Sequence, residues 1–106
     1  MKLDIERMRE GATEATAILR VLANPDRLLL LCQLTHGEHS VSELEESLGI
    51  QQPTLSQQLG VLRSEGLVDT RRDGKRIYYE VSDLRVSRLL DLLYQEFCRT
   101  RGRAAK

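Results

Sequence analysis

The feature that most constrains the fold of this chain is a change in hydrophobic period at Gly66. Before Gly66, apolar residues recur at steps of three and four, as they do on one face of an α-helix. After it, the segments 67–72 and 76–81 are rich in β-branched and aromatic residues and flank Asp73-Gly74. Because an Asp-Gly pair favours a two-residue hairpin, these segments are predicted to pair as antiparallel strands. The chain is therefore expected to be mainly α, with one small β-hairpin.

Helices are predicted on both sides of this hairpin, and turn residues mark their limits. Asn24 is a good N-cap for a helix that opens with Pro25. Ser40 and Ser42 compete as the cap of the third helix, since each has Glu three residues later. The predicted helices span 4–22, 25 to about 35, 40 or 42 to 49, about a dozen residues from 53, and 84–98. The tail 99–106 has four bases and no acid and is expected to fray.

Length and composition indicate a single domain, residues 1–106, that would gain from a partner subunit. A chain of this size buries only about 60–65% of the surface that it exposes when unfolded. Its 41% apolar and 30% charged residues are ordinary for a globular protein. No apolar run approaches the length of a membrane span, and the N-terminus lacks an apolar signal region. We therefore expect a cytoplasmic location and no membrane partner.

The order of the elements predicts a winged helix-turn-helix that binds double-stranded DNA. The third and fourth helices would form the helix-turn-helix, and the hairpin would form the wing. Amide, hydroxyl and guanidinium groups suit base edges and phosphates, and basic residues on a wing suit phosphates. The candidate DNA-binding residues are Gln51, Gln52, Thr54, Ser56, Gln57, Gln58 and Arg63 around the fourth helix, and Arg71, Arg72, Lys75 and Arg76 on the wing. The alternative is a solvated polar face beside a charged hairpin. It is disfavoured because the third helix, the fourth helix (here called the reader helix, since it would contact the bases) and the basic wing follow one another in the order of a winged helix-turn-helix.

The formal net charge of zero does not contradict DNA binding, because the charges are segregated along the chain. Residues 37–50 contain four Glu and no Lys or Arg. Residues 51–76 contain five bases against three acids, and residues 84–106 contain six bases against two acids. We therefore expect modest affinity for random DNA, and specific binding that depends on two reader helices held at the right spacing.

Several segments together resemble the ArsR/SmtB family of bacterial repressors, over about residues 10–98. They are LANPDRL at 22–28, VSEL at 41–44, QPTLSQQLGVLR at 52–63, GLV at 66–68 and RIYY at 76–79. The resemblance implies a homodimer through the first and last helices, a pseudo-palindromic operator and an effector that releases the DNA. The residues agree with a dimer, because both terminal helices are amphipathic and the chain is small.

Neither common metal motif of that family is present. Family members of the metalloid-sensing type carry a Cys-x-Cys pair in the third helix, whereas residues 41–46 of this chain contain no sulfur. The zinc or nickel type uses Asp and His along the last helix, whereas 83–98 contains no His. The two histidines, His36 and His39, lie in a loop and provide too few ligands for a closed site. The sequence therefore predicts no metal and no cofactor.

Two cysteines remain as candidate sensor groups. Cys32 lies in the second helix and Cys98 at the end of the last. Taken singly, Cys32 is typical of a small buried apolar side chain, and Cys98 is typical of a thiol at a frayed helix end. As a pair, together with the segments 52–63 and 94–98, they resemble the persulfide-sensing branch of the ArsR/SmtB family. That resemblance implies that reactive sulfur species (persulfides or polysulfides) bridge the two thiols within a subunit, and that the bridged dimer leaves its operator.

The chemistry of such a bridge is physically reasonable. A thiolate is the reactive form, which Arg99 and Arg101 would favour at Cys98, while the helix C-terminus opposes it. A direct disulfide needs Cα atoms within about 7 Å, whereas inserted sulfur atoms span a longer gap.

Other functional classes stay open at this point. One alternative is a metal-ion-responsive repressor of the same family. Another is a winged-helix protein-interaction module that does not bind DNA. The salt dependence of binding would distinguish the two, because DNA binding weakens steeply as the salt concentration rises. An enzyme is not predicted, since no nucleophile–base constellation and no Gly-rich phosphate loop is present.

Overall fold

The elements of the fold follow the predicted order, with two additions. The computed structural model describes residues 4–99, and it is mainly helical with a small sheet. The elements are α1 (Ile5–Leu22), α2 (Pro25–Leu34), β1 (His39–Ser40), α3 (Val41–Leu48), α4 (Thr54–Ser64), β2 (Val68–Asp73), β3 (Arg76–Val81), α5 (Leu84–Leu93) and a π-helical segment (Tyr94–Arg99). The predicted winged helix-turn-helix is confirmed: α3 and α4 form the helix-turn-helix, and β2 and β3 form the wing.

Side-chain caps fix where the first three helices begin. The Asp4 carboxylate accepts the backbone N–H groups of the first turn of α1. The side chain of Asn24 accepts the N–H of Arg27 at 3.0 Å, with Pro25 as the first helical residue. At α3, the Ser40 hydroxyl accepts the N–H of Glu43 at 3.3 Å, and the Glu43 carboxylate accepts the N–H of Ser40 at 2.8 Å. Of the two competing serines, Ser40 is therefore the cap, in a complete capping box.

A single aliphatic cluster forms the core, and α2 lies at its centre. This helix packs against α1, α3, α4, α5 and β3. Leu30 and Leu31 are fully buried, whereas Leu29 is 48% exposed, so one side of α2 faces solvent. Buried core residues are Val21, Leu22, Leu30, Leu31, Leu34, Leu44, Ile50, Leu55, Leu59, Leu62, Leu67, Val68, Val86 and Leu90.

The sheet has three antiparallel strands in the order β1-β3-β2, rather than the two that were predicted. Asp73 pairs with Arg76 across the predicted turn, where Gly74 has a φ of +64° that favours glycine. The additional strand, β1, pairs His39 with Tyr79 and Ser40 with Tyr78. A two-residue strand is too short to show an alternating pattern, which is why the sequence did not reveal it.

The last helix differs from the prediction in its second half. The expected α-helix over 84–98 is α-helical only to Leu93, and it continues as the π-helical segment Tyr94–Arg99. Hydrophobic spacing does not distinguish these two helix types over six residues, and π-helical turns are often associated with functional sites. Arg99 still belongs to this segment, and its guanidinium donates to the Gln95 side chain at 3.0 Å. The rest of the predicted frayed tail, with Arg101, lies outside the described residues.

Both terminal helical elements leave large apolar side chains in solvent. Exposed residues of α1 and α5 line a groove between the two helices together with core residues. A homodimer through these faces remains a prediction. The large exposed apolar residues of these elements are Ile5, Met8 and Leu19 on α1, Leu84 and Leu92 on α5, and Tyr94 and Phe97 on the π-helical segment. Within residues 4–99, no helix has the length and apolar character that a membrane crossing requires.

The capping box predicts a specific stability effect. Ser40→Ala removes the acceptor for the Glu43 N–H and should lower the free energy of unfolding by about 1 kcal/mol. Ser47→Ala, on the exposed side of the same helix, is the matched control and should change it by less than about 0.5 kcal/mol. Urea unfolding at one protein concentration measures both, and equal effects of the two substitutions would contradict the assignment of the cap.

Candidate nucleic-acid interface and thiol site

The polar face of α4 is presented to solvent because its apolar face is anchored in the core. Leu55, Leu59 and Leu62 are at most 1% exposed, so the opposite side of the helix must face outward. Most of the predicted contact residues therefore lie on one accessible surface. Gln51, Gln52, Ser56, Gln57 and Arg63 are exposed, while Thr54 and Gln58 are partly buried.

Two glutamines of this region make hydrogen bonds within the chain. The side-chain oxygen of Gln52 accepts the N–H of Ser56 at 3.1 Å, at a helix start where Pro53 provides no side-chain cap. The side-chain oxygen of Gln58 accepts from the Arg27 guanidinium at 3.1 Å, and Arg27 also donates to the Val21 carbonyl at 2.7 Å. A bidentate contact of either glutamine with adenine would therefore use a side-chain oxygen that already accepts one hydrogen bond.

Sequence reasoning missed one residue on this surface, Val61. It is 36% exposed on the solvent side of α4, and the nearby Gly60 has open space where a side chain would begin. The apolar residue on an otherwise polar helix face was the available signal. In a major groove the natural partner of such a side chain is the thymine methyl group.

The wing places its four basic residues on the exposed hairpin, and one of them, Arg71, forms an ion pair. Arg72, Lys75 and Arg76 are exposed. The Arg71 Nε donates to Glu38 Oε2 at 3.1 Å, a second bond joins Nη2 to Oε1, and the guanidinium lies 4.7 Å above the Tyr78 ring. The hydrogen bonds from Arg71 hold the pKa of Glu38 below its ordinary value. Arg71 is therefore tied to the loop before β1.

The two thiols lie at the boundary between α2 and the π-helical segment. Cys32 is partly buried on α2, and Cys98 is exposed on the π-helical segment. Both line one cavity of about 490 Å³, whose wall includes Leu28, Leu48 and Tyr94. Burial raises the pKa of the Cys32 thiol, and the negative charge of a Cys98 thiolate raises it further. The structure thus brings the two predicted sensor residues to one largely apolar cavity.

Only His36 lies in the predicted loop, because His39 is the first residue of β1, and both histidines are held by hydrogen bonds to the loop and to α2. His39 Nδ1 donates to the Gly37 carbonyl at 2.9 Å, and its Nε2 lies 3.3 Å from the Gln33 amide nitrogen. His36 Nδ1 donates to the Cys32 carbonyl at 3.1 Å. Among residues 4–99, no group of three His, Cys, Asp or Glu side chains is placed to hold a metal ion.

Comparison with known proteins gives consistent matches. Residues 24–70 match the family described as "Bacterial regulatory protein, arsR family". The chain is 50% identical over 97 residues to the biofilm growth-associated repressor of Agrobacterium fabrum, which covers 92% of this chain and 83% of the relative. The relatives are named as transcriptional regulators, which agrees with the prediction that the chain is not an enzyme.

Solved structures agree with the fold. The crystal structure of the transcriptional repressor BigR from Xylella fastidiosa has a TM-score of 0.84 and 48% identity, covering 91% of this chain and 98% of that one. A solution structure from Mycobacterium bovis, described as a homodimeric winged helix-turn-helix DNA-binding domain, has a TM-score of 0.70 and 33% identity, covering 88% of this chain and 86% of that one.

The electrostatic interaction between the thiols predicts a measurable change in reactivity. Cys98→Ser removes the negative charge that helps to raise the pKa of Cys32, so that pKa should fall, although burial keeps it above the ordinary value. A lower pKa means more Cys32 thiolate at a given pH, and hence faster alkylation by iodoacetamide. Alkylation rates followed by peptide mass spectrometry from pH 7 to 10 measure the shift.

The control for this measurement is Asp91→Asn, which removes a carboxylate from a neighbouring cavity that Cys32 also lines. Asp91 does not contribute to the raised pKa of Cys32. Its substitution should therefore leave the Cys32 profile unchanged. Superimposable profiles in the parent and the Cys98→Ser variant would contradict the interaction.

Proposed function

Since the chain belongs to the ArsR family of bacterial regulatory proteins, we propose that it represses transcription as a homodimer on operator DNA and that Cys32 and Cys98 sense reactive sulfur. The single observation that carries the sensor assignment is the shared cavity, because it brings thiols from α2 and from the π-helical segment to one place. An apolar, partly closed cavity favours a neutral bridge over two thiolates.

The DNA-binding surface in this proposal combines α4 and the wing. Ser56, Gln57 and Arg63 are exposed on the outer side of α4, where hydroxyl, amide and guanidinium groups suit base edges and phosphates. Arg72, Lys75 and Arg76 on the wing suit phosphates. Because residues 51–76 carry a modest excess of bases, the affinity for random DNA should be modest.

A homodimer is supported by the apolar side chains that a single chain leaves in solvent. Ile5, Met8 and Leu19 on α1, with Leu84 on α5, are each 49–64% exposed. Covering them would add apolar burial to a domain too small to bury much on its own. The Mycobacterium bovis relative described as homodimeric supports the same assembly.

The sulfur chemistry balances in two steps, with an organic persulfide (RSSH) as the oxidant. The Cys98 thiolate attacks the outer sulfur of RSSH, which forms a Cys98 persulfide and releases RSH. The Cys32 thiolate then attacks the inner sulfur of that persulfide, which forms the Cys32–Cys98 disulfide and releases hydrogen sulfide. A second RSSH that extends the Cys98 persulfide before closure leaves one additional sulfur in the bridge. In each case two thiols are oxidised and sulfane sulfur is reduced to sulfide.

A bridge would change the mechanics of the DNA-binding surface through α2. It would tie α2 to the π-helical segment, which follows one of the helices proposed to form the dimer. In turn, α2 contacts the reader helix through the core and through the Arg27–Gln58 hydrogen bond. A shift of α2 relative to the dimer helices would alter the spacing of the two reader helices, on which specific binding depends.

The sensor proposal predicts a bridge and a loss of DNA affinity together. In intact mass spectra, reduced protein treated with glutathione persulfide should lose the mass of two hydrogens per subunit. Each sulfur atom inserted into the bridge should add the mass of one sulfur to that product. Its affinity for a fragment selected from random DNA by the reduced protein should fall by at least about tenfold, the scale of a typical 1–3 kcal/mol coupling. Fluorescence anisotropy on the same samples measures the affinity.

Two single variants serve as controls for the bridge. Cys32→Ser and Cys98→Ser should bind the selected DNA when reduced and keep that affinity after persulfide treatment. Absence of an internal bridge in the parent, or release of DNA by the treated Cys32→Ser variant, would overturn the sensor assignment. If the affinity for the selected DNA does not change with salt concentration, phosphate contacts do not carry the binding, and a protein-interaction module is favoured instead.

The Glu38–Arg71 pair predicts that DNA competes with Glu38 for the wing arginine. Glu38→Gln removes the charge that holds Arg71, so the affinity for selected DNA should rise. The slope of log affinity against log salt should steepen by about 0.9 for each added phosphate contact, one per subunit. Glu46→Gln removes the same charge from an exposed position on α3 and controls for net charge. Equal effects of the two substitutions, or weaker binding by Glu38→Gln, would contradict the competition.

A further inference from the structure

Building on the proposed thiol function, we propose that His36 is the proton-transfer residue of the Cys32–Cys98 site. Its Nε2 accepts the proton of the Cys32 thiol as Cys32 attacks the inner sulfur of the Cys98 persulfide. The new disulfide bond forms as the bond between the two persulfide sulfurs breaks. The imidazolium then returns its proton to the departing hydrosulfide, which leaves as hydrogen sulfide. His36 ends the step neutral, so atoms, electrons and protons balance.

Hydrogen bonding fixes which ring nitrogen of His36 is free to accept a proton. The Cys32 carbonyl oxygen lies 3.1 Å from His36 Nδ1 and acts only as an acceptor, so Nδ1 carries the hydrogen in the neutral ring. The same oxygen accepts the Thr35 hydroxyl at 2.6 Å. His36 Nε2 is then the unprotonated nitrogen, and within residues 4–99 it has no hydrogen-bond partner.

The position of His36 joins the two elements that carry the thiols. His36 lines the 490 Å³ cavity with both cysteines, and also a second cavity of about 360 Å³ that Cys32, Asp91 and Tyr94 share. Its ring meets the Tyr94 ring edge-on, with centroids 6.5 Å apart and an angle of 74° between the planes. Tyr94 begins the π-helical segment that carries Cys98, so the imidazole lies where α2 and that segment meet.

The chemistry of Cys32 requires a proton acceptor at this place. Burial raises the pKa of Cys32, so the thiol is mainly protonated near neutral pH and reacts slowly on its own. Imidazole is the side chain that most readily accepts and returns a proton near neutral pH. The other titratable groups around the two cavities are Asp91, Tyr94 and Cys98.

His39 provides an internal contrast. It lies three residues further along the chain, at the start of β1, but both of its ring nitrogens have partners, the Gly37 carbonyl and the Gln33 amide. It is not among the residues that line either cavity with Cys32. A histidine near this loop is therefore not sufficient for the role, which depends on the open Nε2 and on the shared cavity.

The test measures the rate of bridge formation rather than its end point. Reduced protein is mixed with glutathione persulfide at pH 7, quenched with iodoacetamide at set times, and analysed by intact mass. His36→Asn keeps a side-chain N–H donor for the Cys32 carbonyl but lacks the basic nitrogen. It should bridge at least about 100-fold more slowly, the lower end of the usual scale of general acid–base catalysis. Its final bridged mass and the DNA affinity of its reduced form should equal those of the parent.

Two further measurements separate proton transfer from a structural role. Added imidazole should restore the bridging rate of His36→Ala, and His39→Asn should bridge at the parental rate. Parental rates in His36→Asn, or a slow His36→Ala that imidazole does not accelerate, would overturn the assignment of His36. A parent protein that forms no bridge at all would instead overturn the sensor function, so the two failures are distinguishable.

Discussion

The central position of α2 is the constraint on which the rest of the structure depends. This ten-residue helix packs against α1, α3, α4, α5 and β3, and its Leu30 and Leu31 are fully buried. Close packing makes such an element move as a unit, because no neighbour yields without losing contacts. Cys32 follows directly after these leucines, at the edge of the core. In the proposed function, a bond made at Cys32 therefore acts on the element that every other α-helix touches.

The loop after α2 gives the thiol region a second connection to the DNA-binding surface. His36 bonds to the Cys32 carbonyl at one end of the loop, and Glu38 bonds to the wing residue Arg71 at the other. Both ends are short polar contacts at the surface, which are individually weak and readily exchanged. The loop therefore joins the thiol region to the wing by a route separate from the core contact of α2 with α4.

Much of the fold could be predicted from the sequence, because the relevant signals are local. The caps at Asn24 and Ser40, the Asp73-Gly74 turn and the leucines of α4 each depend on a few neighbouring residues. Strand β1 and the π-helical segment were missed because neither is long enough to impose a period of its own. The pairing of Glu38 with Arg71 was not predictable, since it joins residues 33 positions apart through the folded sheet. For the same reason the sequence placed both histidines in one loop without distinguishing the bonded His39 from the open His36.

The unequal burial of the two thiols gives the proposed reaction its order. Cys98 is exposed on the π-helical segment, whereas Cys32 is partly buried and its pKa is raised. A persulfide arriving from solvent therefore meets Cys98 first, and the less reactive Cys32 acts only when a sulfur electrophile is already held beside it. In the proposed reaction, a second persulfide can lengthen the sulfur chain on Cys98 before Cys32 attacks, so the bridge can also close across a gap longer than a direct disulfide spans. The exposed thiol thus receives the sulfur, and the thiol whose pKa is raised by burial closes the bridge.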